Sequence, residues 1–338
     1  MKIPASRTIK KFLNPFNRLG IILMYHRVAN VDYDPLGLNV SPKHFEEQMR
    51  IIKKYSRPVQ MRHMGKNLNR FSFGKTDIAV TLDDGYSDNF YNAKPIFERH
   101  DIPATFFIIT GCIDSQEEFF WESLRRAVLA PETLPQILDI IIAGKKYHWE
   151  IKPSGTCQTI EYGQTINDKT SAKLSRSEFY NVLIQILGTS SIEERRVALK
   201  LLGQWSGQDL AVRKECLPMT SGDLLSLADC PLFEIGAHTV NHPKLAFIPV
   251  QKQNDEINLS KTDLEKRVNK AIVSFSYPHG NYNEETVKLV ERLKFQNACT
   301  VVQNPVMRNS NPYLLPRFAV QNWNGDQFEQ NLQNWLEQ

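Results

Sequence analysis

The chain has 338 residues, 41% hydrophobic and 23% charged, with a formal net charge of +4 at pH 7. This is ordinary globular composition with enough apolar material for one large domain or two. The mild positive charge is spread along the sequence without an aromatic-interleaved basic patch, so a nucleic-acid partner is not expected. Five cysteines, at 112, 157, 216, 230 and 299, are widely spaced and form no Cys-x-x-Cys pair. They fit reduced thiols better than a disulfide framework. No stretch approaches the ~18–20 apolar residues of a membrane span. The basic N-terminus leads into an apolar run at 21–25, too short for a signal-peptide core. A cytoplasmic location is therefore the default expectation. Residues 9–16 offer a weak peripheral contact with an anionic membrane surface, although Pro15 interrupts any helix there.

In chain order, residues 21–25 predict a first buried strand. Ser41-Pro42, followed by Phe45, Met49, Ile51 and Ile52, predicts a helix with Ser41 as N-cap and Pro42 at its first position. Residues 78–82 read as a second buried strand, 91–100 as a helix and 104–110 as a third strand ending at Gly111. This alternation points to a parallel α/β barrel or a doubly wound sheet. Residues 112–217 break the rhythm with an aromatic cluster at Phe119, Phe120 and Trp121, then an apolar helix around 134–142. A polar stretch over 150–175 and helices at 177–187 and 192–202 follow. The segment reads as an insertion, a lid or substrate-recognition subdomain within a single catalytic domain of residues 1–338. The barrel pattern resumes with a helix capped by Thr220 and a strand at 232–235. Next come a helix at 251–269, a strand at 272–277, a helix at 284–293, strands at 298–302 and 314–320, and a terminal helix at 327–336.

Two of these strands end in groups able to do chemistry. The strand at 78–82 runs into Asp83-Asp84-Gly85, at the C-terminal end where α/β folds place their reactive groups. Successive strand residues point to opposite faces, so one carboxylate can bind a metal while its neighbour takes a proton. The strand at 232–235 runs through Gly236-Ala237 into His238 and His242. Their i, i+4 spacing suits one face of a helical turn, close enough to share an ion. Two histidines and a carboxylate with an open position suit catalytic zinc or a related divalent metal.

The stretch Thr81-Leu82-Asp83-Asp84-Gly85-Tyr86, with Ser87-Asp88-Asn89 after it, resembles the first motif of the polysaccharide deacetylases (NodB homology, carbohydrate esterase family 4). His238-Thr239-Val240-Asn241-His242 resembles their second motif and Phe275-Ser276-Tyr277-Pro278-His279-Gly280 their third. The segments occur in order over roughly residues 20–110 and 218–322. The resemblance implies a distorted (β/α)7-type barrel with a mainly helical insertion. It also implies Asp84, His238 and His242 as metal ligands, Asp83 as general base, and the Tyr86 backbone N–H as an oxyanion donor. Zinc is the first choice of metal, with cobalt, manganese or nickel as alternatives.

Two departures from the family pattern carry further expectations. No histidine occurs after residue 279, where relatives place their general acid. The first and last strands of a closed barrel are neighbours, so His26 at the end of the first strand takes that role, as in a circularly permuted branch. Ser276 stands where relatives carry an arginine, and Arg317 is the candidate to supply that cation to Asp83. His279 reads as a surface imidazole, while Ser87, Asp88 and Asn89 read as caps of the following helix. The implied activity is removal of N-acetyl groups from an N-acetylated carbohydrate, with a glycan precursor of surface polysaccharide assembly as the favoured substrate. The alternatives are an amidase or esterase acting on a non-sugar acyl group, and a carbohydrate-binding barrel without turnover.

Overall fold

The computed structural model describes residues 18–31, 33–66, 75–153 and 170–337. The segment at 9–16 and Cys157 lie outside the described residues; the other four cysteines are free thiols. Contacts divide the chain into two compact units. One comprises Met1–Val31, Leu38–Ile113 and Met219–Gln338, the other Asp32–Gly37 and Asp114–Pro218.

Among the described residues of the first unit, a curled nine-stranded sheet is built around seven parallel strands: β1 (Arg18–Tyr25), β2 (Thr76–Leu82), β3 (Ala104–Ile108), β4 (Phe233–Ala237), β5 (Ser274–Ser276), β6 (Asn297–Cys299) and β7 (Phe318–Ala319). The short strand Ser56–Val59 adds in parallel to β2, and Val306–Met307 adds antiparallel to β1. Neighbours pair in chain order from β1 to β6, and β7 pairs in parallel with β1. A bridge between Cys299 and Leu315 joins β6 to the segment leading into β7, and Thr300 N–H donates to Leu315 O at 2.9 Å. The first and last strands are thus neighbours, and the architecture is the (β/α)7-type barrel. Its strands are buried on both faces, which is why they read as continuous apolar runs rather than alternating ones.

Helices cover the outside. The Ser41 hydroxyl caps α1 (Pro42–Tyr55) by accepting from His44 N, and the helix buries Phe45, Gln48, Met49 and Ile52 at helical spacing. Further along come α2 (Lys94–His100), α3 (Ser221–Asp229), α4 (Val250–Val268), α5 (Glu284–Arg292) and α6 (Gly325–Glu337). Among the described residues the connection from β6 to β7 carries no helix; it holds the short strand Val306–Met307. No helix among the described residues is long and apolar enough to cross a membrane.

Gly236 in β4 allows a close approach. A Cβ there would stand 2.5 Å from the Phe107 ring and 3.1 Å from Ser274 O. Gly236→Ala is expected to lower stability by about 1–3 kcal/mol through overpacking, read as a fall in denaturation midpoint. An unchanged midpoint would show that the interior has slack at this layer.

The second unit contains helices Phe120–Val128, Arg176–Thr189 and Ile192–Ser206. It also contains a three-stranded sheet, which corrects the helix expected over 134–142. Ile137–Ile142 is a strand, antiparallel to Lys145–Ile151, which in turn runs parallel to Ser171–Leu174. Along it Leu138, Ile140 and Ile142 are buried while Ile137, Asp139 and Ile141 are exposed. That period of two, in an isoleucine-rich run stiff at χ1, belongs to a half-buried strand.

Candidate active site

The strand ends at one rim of the barrel bring together residues far apart in sequence. Asp84 Oδ1 lies 3.5 Å from His238 Nε2 and 3.5 Å from His242 Nε2, and the two Nε2 atoms are 3.2 Å apart. All three residues are buried. His238 Nδ1 is 2.8 Å from the carbonyl oxygen of Ser276. That oxygen can only accept, so Nδ1 carries the proton and Nε2 turns a lone pair toward the cluster. Asp84 Oδ1 has no hydrogen-bond partner. Electron-rich atoms facing one another in buried space are unfavourable unless a cation or proton lies among them. Ligands about 2.1 Å from a tetrahedral centre stand about 3.4 Å apart, the spacing seen here. These residues fit a divalent metal, and the His–carbonyl bond is the outer support such ligands use.

The two histidines do not share a helical turn, as their spacing suggested. Residues 238–244 are irregular, with Thr239 at φ 65 and His242 at φ 59. Left-handed backbone is costly for residues other than glycine and persists where surroundings impose it. The imidazoles meet because a tight loop folds back on itself, with His242 N–H donating to Thr239 Oγ at 3.0 Å. Asp84 also sits in this region, at φ 72, which aspartate tolerates better than most residues.

Asp83 and Arg317, 234 positions apart, form a two-pronged buried ion pair. Arg317 donates from Nη1 to Oδ1 at 2.8 Å and from Nη2 to Oδ2 at 2.7 Å. Its other donors go to Thr81 Oγ, Ser276 Oγ and Thr300 O, so all five N–H groups are satisfied. Burial pushes the Asp83 carboxyl up, but the Arg317 charge and hydrogen bonds outweigh it and hold the group well below the usual carboxylate range. Ser276 also donates to Asp83 Oδ2 at 3.2 Å. Of the ~four lone-pair sites of a carboxylate, one on Oδ1 remains for a further donor.

His26 follows β1 directly, beside the end of β2, where Asp83 N–H donates to Tyr25 O at 2.9 Å. It lies within electrostatic reach of both Asp83 and His279. Tyr86 is fully buried, with the Arg27 guanidinium 4.6 Å above its ring. Two expectations need correction. Asp88 does not cap a helix; it accepts from Arg27 Nε at 2.9 Å and Val28 N at 3.0 Å, while Asn89 Nδ2 donates to His26 O at 2.8 Å. Because the strands lie side by side, the tail of the first motif finds partners across the sheet and clamps the segment that carries His26. His279 is not a surface imidazole either. It is half-buried, with its ring 4.3 Å from that of His242. Burial and then the Lys244 charge push it down to about 3, so it is neutral near neutral pH. A left-handed backbone at φ 56, which composition does not signal, turns it inward.

The family model for polysaccharide deacetylases matches residues 72–136 and 201–298, taking in both Asp83-Asp84 and the His238–His242 loop. The chain belongs to the polysaccharide deacetylase family. One relative is YxkH of Bacillus subtilis (strain 168), whose name assigns it to the polysaccharide deacetylases; it is 33% identical over 86 residues. That stretch covers 25% of this chain and 31% of the relative's length. Among solved structures, the deacetylase PplD of Streptococcus pyogenes, in complex with acetate, superposes with a TM-score of 0.59 at 17% identity, covering 96% of this chain and 100% of that one. IcaB from Ammonifex degensii gives 0.58 at 13% identity, covering 95% and 98%. At these identities the likeness concerns the fold, which is that of the deacetylase barrels.

Proposed function

We propose that this deacetylase-family chain is a divalent-metal-dependent hydrolase that removes the acetyl group from an N-acetylated carbohydrate, leaving acetate and a free amine. The observation that supports it most is the convergence of Asp84, His238 and His242 beside a second carboxylate held ionised by Arg317. A divalent ion in that cluster, zinc first and cobalt, manganese or nickel next, would activate a water and polarise the amide carbonyl. Asp83 is assigned as general base: its Oδ1 retains an open lone-pair site, and Arg317 keeps the carboxylate ready to accept the proton of the attacking water. The backbone N–H of Tyr86 is assigned to the developing oxyanion. His26 is assigned to protonate the departing amine, which would otherwise leave as an unstable anion.

The test is metal analysis of the purified protein together with acetate release from N-acetylglucosamine oligomers and N-acetylated sugar nucleotides, with and without chelator. Chelator-sensitive release supports the reading; bound metal with no release from any acyl donor would favour a binding barrel. His26→Ala is expected to slow turnover by about 10²–10⁴-fold with metal content unchanged. Near-normal turnover in that variant would remove His26 from the mechanism.

A further inference from the structure

The loop that carries both imidazoles is irregular and contains two left-handed residues, so something outside it must hold its shape. Every N–H from 240 to 242 has an identifiable acceptor. Val240 N and Asn241 N both donate to one oxygen of Glu256, at 2.9 and 2.8 Å, and Asn241 Nδ2 donates to the other at 2.7 Å. His242 N–H uses Thr239 Oγ. On the opposite side, Thr110 N donates to Thr239 O at 3.1 Å and Gly111 N to Val240 O at 2.9 Å. Gly111 permits that approach, because a Cβ there would stand 2.6 Å from Val240 O. Three of these bonds join backbone amides to carbonyls or lie within the loop itself. Glu256, on the second turn of α4, grips it from another element with three side-chain hydrogen bonds.

We propose that Glu256 is the positioning residue of the metal centre, setting the separation of the His238 and His242 nitrogens through the loop between them. A carboxylate accepting two successive backbone N–H groups and a side-chain amide supplies charge-assisted bonds that a neutral partner matches less strongly. Without it two N–H groups lose their acceptor, which offsets the cost of left-handed backbone at Thr239 and His242 no longer. The loop would then relax toward ordinary conformations and move the imidazoles out of register with Asp84. The inference rests on the metal reading of the preceding section.

The experiment is titration of the metal-free protein with Zn²⁺ and Co²⁺ against a chromophoric chelator, alongside the Co²⁺ absorption spectrum and the melting temperature of the metal-free form. Glu256→Ala is expected to weaken metal binding about 10–100-fold, as for other outer supports of metal ligands, and to alter the Co²⁺ spectrum. Glu256→Asp, which keeps the charge but withdraws it by one methylene, is expected to weaken binding in the same direction and guards against a misfolded alanine variant. Glu256→Gln keeps an oxygen for the two backbone amides, and the Asn241 amide can turn its oxygen to the new NH₂ group; binding should return to within about threefold of the parent. Asp255→Asn, a neighbouring exposed change, should leave binding unaltered. Parental affinity and spectrum in both Glu256→Ala and Glu256→Asp, with only the melting temperature lowered, would reduce Glu256 to a scaffold residue and overturn the proposal. Loss of affinity in Asp255→Asn equal to that in Glu256→Ala would overturn it too, by implicating the general charge of α4. A parent protein that takes up no metal would instead overturn the metal reading on which it rests.

Discussion

Asp84→Asn is expected to abolish stoichiometric metal binding and to lower acetate release by about 10²–10³-fold, since metal-assisted polarisation is worth several kcal/mol at 1.36 kcal/mol per factor of ten. Asparagine suits the test because it tolerates the left-handed backbone at φ 72 and keeps the side-chain shape. What it removes is the anionic oxygen that faces both imidazoles without a hydrogen-bond partner. The stability readout separates loss of metal from loss of fold. In the parent, zinc should raise the melting temperature by mass action on the folded state, and in the variant this gain should vanish. The metal-free variant should melt no lower than the metal-free parent, because Asp84 Oδ1 has no hydrogen bond to lose. A variant that still binds zinc tightly would remove Asp84 from the ligand set.

The second large effect concerns the buried pair beneath the cluster. Arg317→Met leaves Asp83 fully enclosed with Ser276 as its remaining side-chain donor, and removing one partner of such a pair costs about 3–5 kcal/mol. The pH dependence should change sign with it. In the parent the folded carboxyl lies below its unfolded value, so the pair contributes stability above the unfolded value of ~3.9 and loses it as pH falls through the depressed one. Without the guanidinium, burial prevails and the folded carboxyl rises above the unfolded value. The variant is then relatively most stable at low pH and loses stability as pH increases, so its deficit against the parent should shrink between pH 7 and pH 4. If Asp83 is the general base as proposed, the acidic limb of the rate profile should move to higher pH in the variant. Adding Asp83→Asn should restore most of the stability but none of the turnover. A deficit independent of pH would mean that Arg317 acts through packing on Phe107 and Thr300 rather than through Asp83.

Most barrel elements were legible along the chain because each is written locally. Apolar runs of five or six residues ending in small or polar residues became parallel strands, and Ser41-Pro42 and Thr220 became helix starts through their own hydroxyls. The segment over 134–142 was misread because a short apolar run suits a buried helix or a strand, and only its pairing with Lys145–Ile151 decides between them. Asp88 was misread for a related reason. Aspartate near a helix start is a common cap, but Arg27 and Val28 lie across the sheet and compete for it successfully. No feature near Glu256 marks it in the sequence, since its partners lie 15 and 16 positions away on a loop.

By itself the sequence determined the kinds of chemical group present and the strand ends on which they ride, since both follow from short-range pattern. Tertiary structure decided which groups meet. Closure of the strand ring set Arg317 against Asp83, and a left-handed loop rather than a helical turn aimed two imidazoles at Asp84. Those outcomes depend on hydrogen bonds and ion pairs between residues up to 236 positions apart, whose free energy exists only once the strands are side by side.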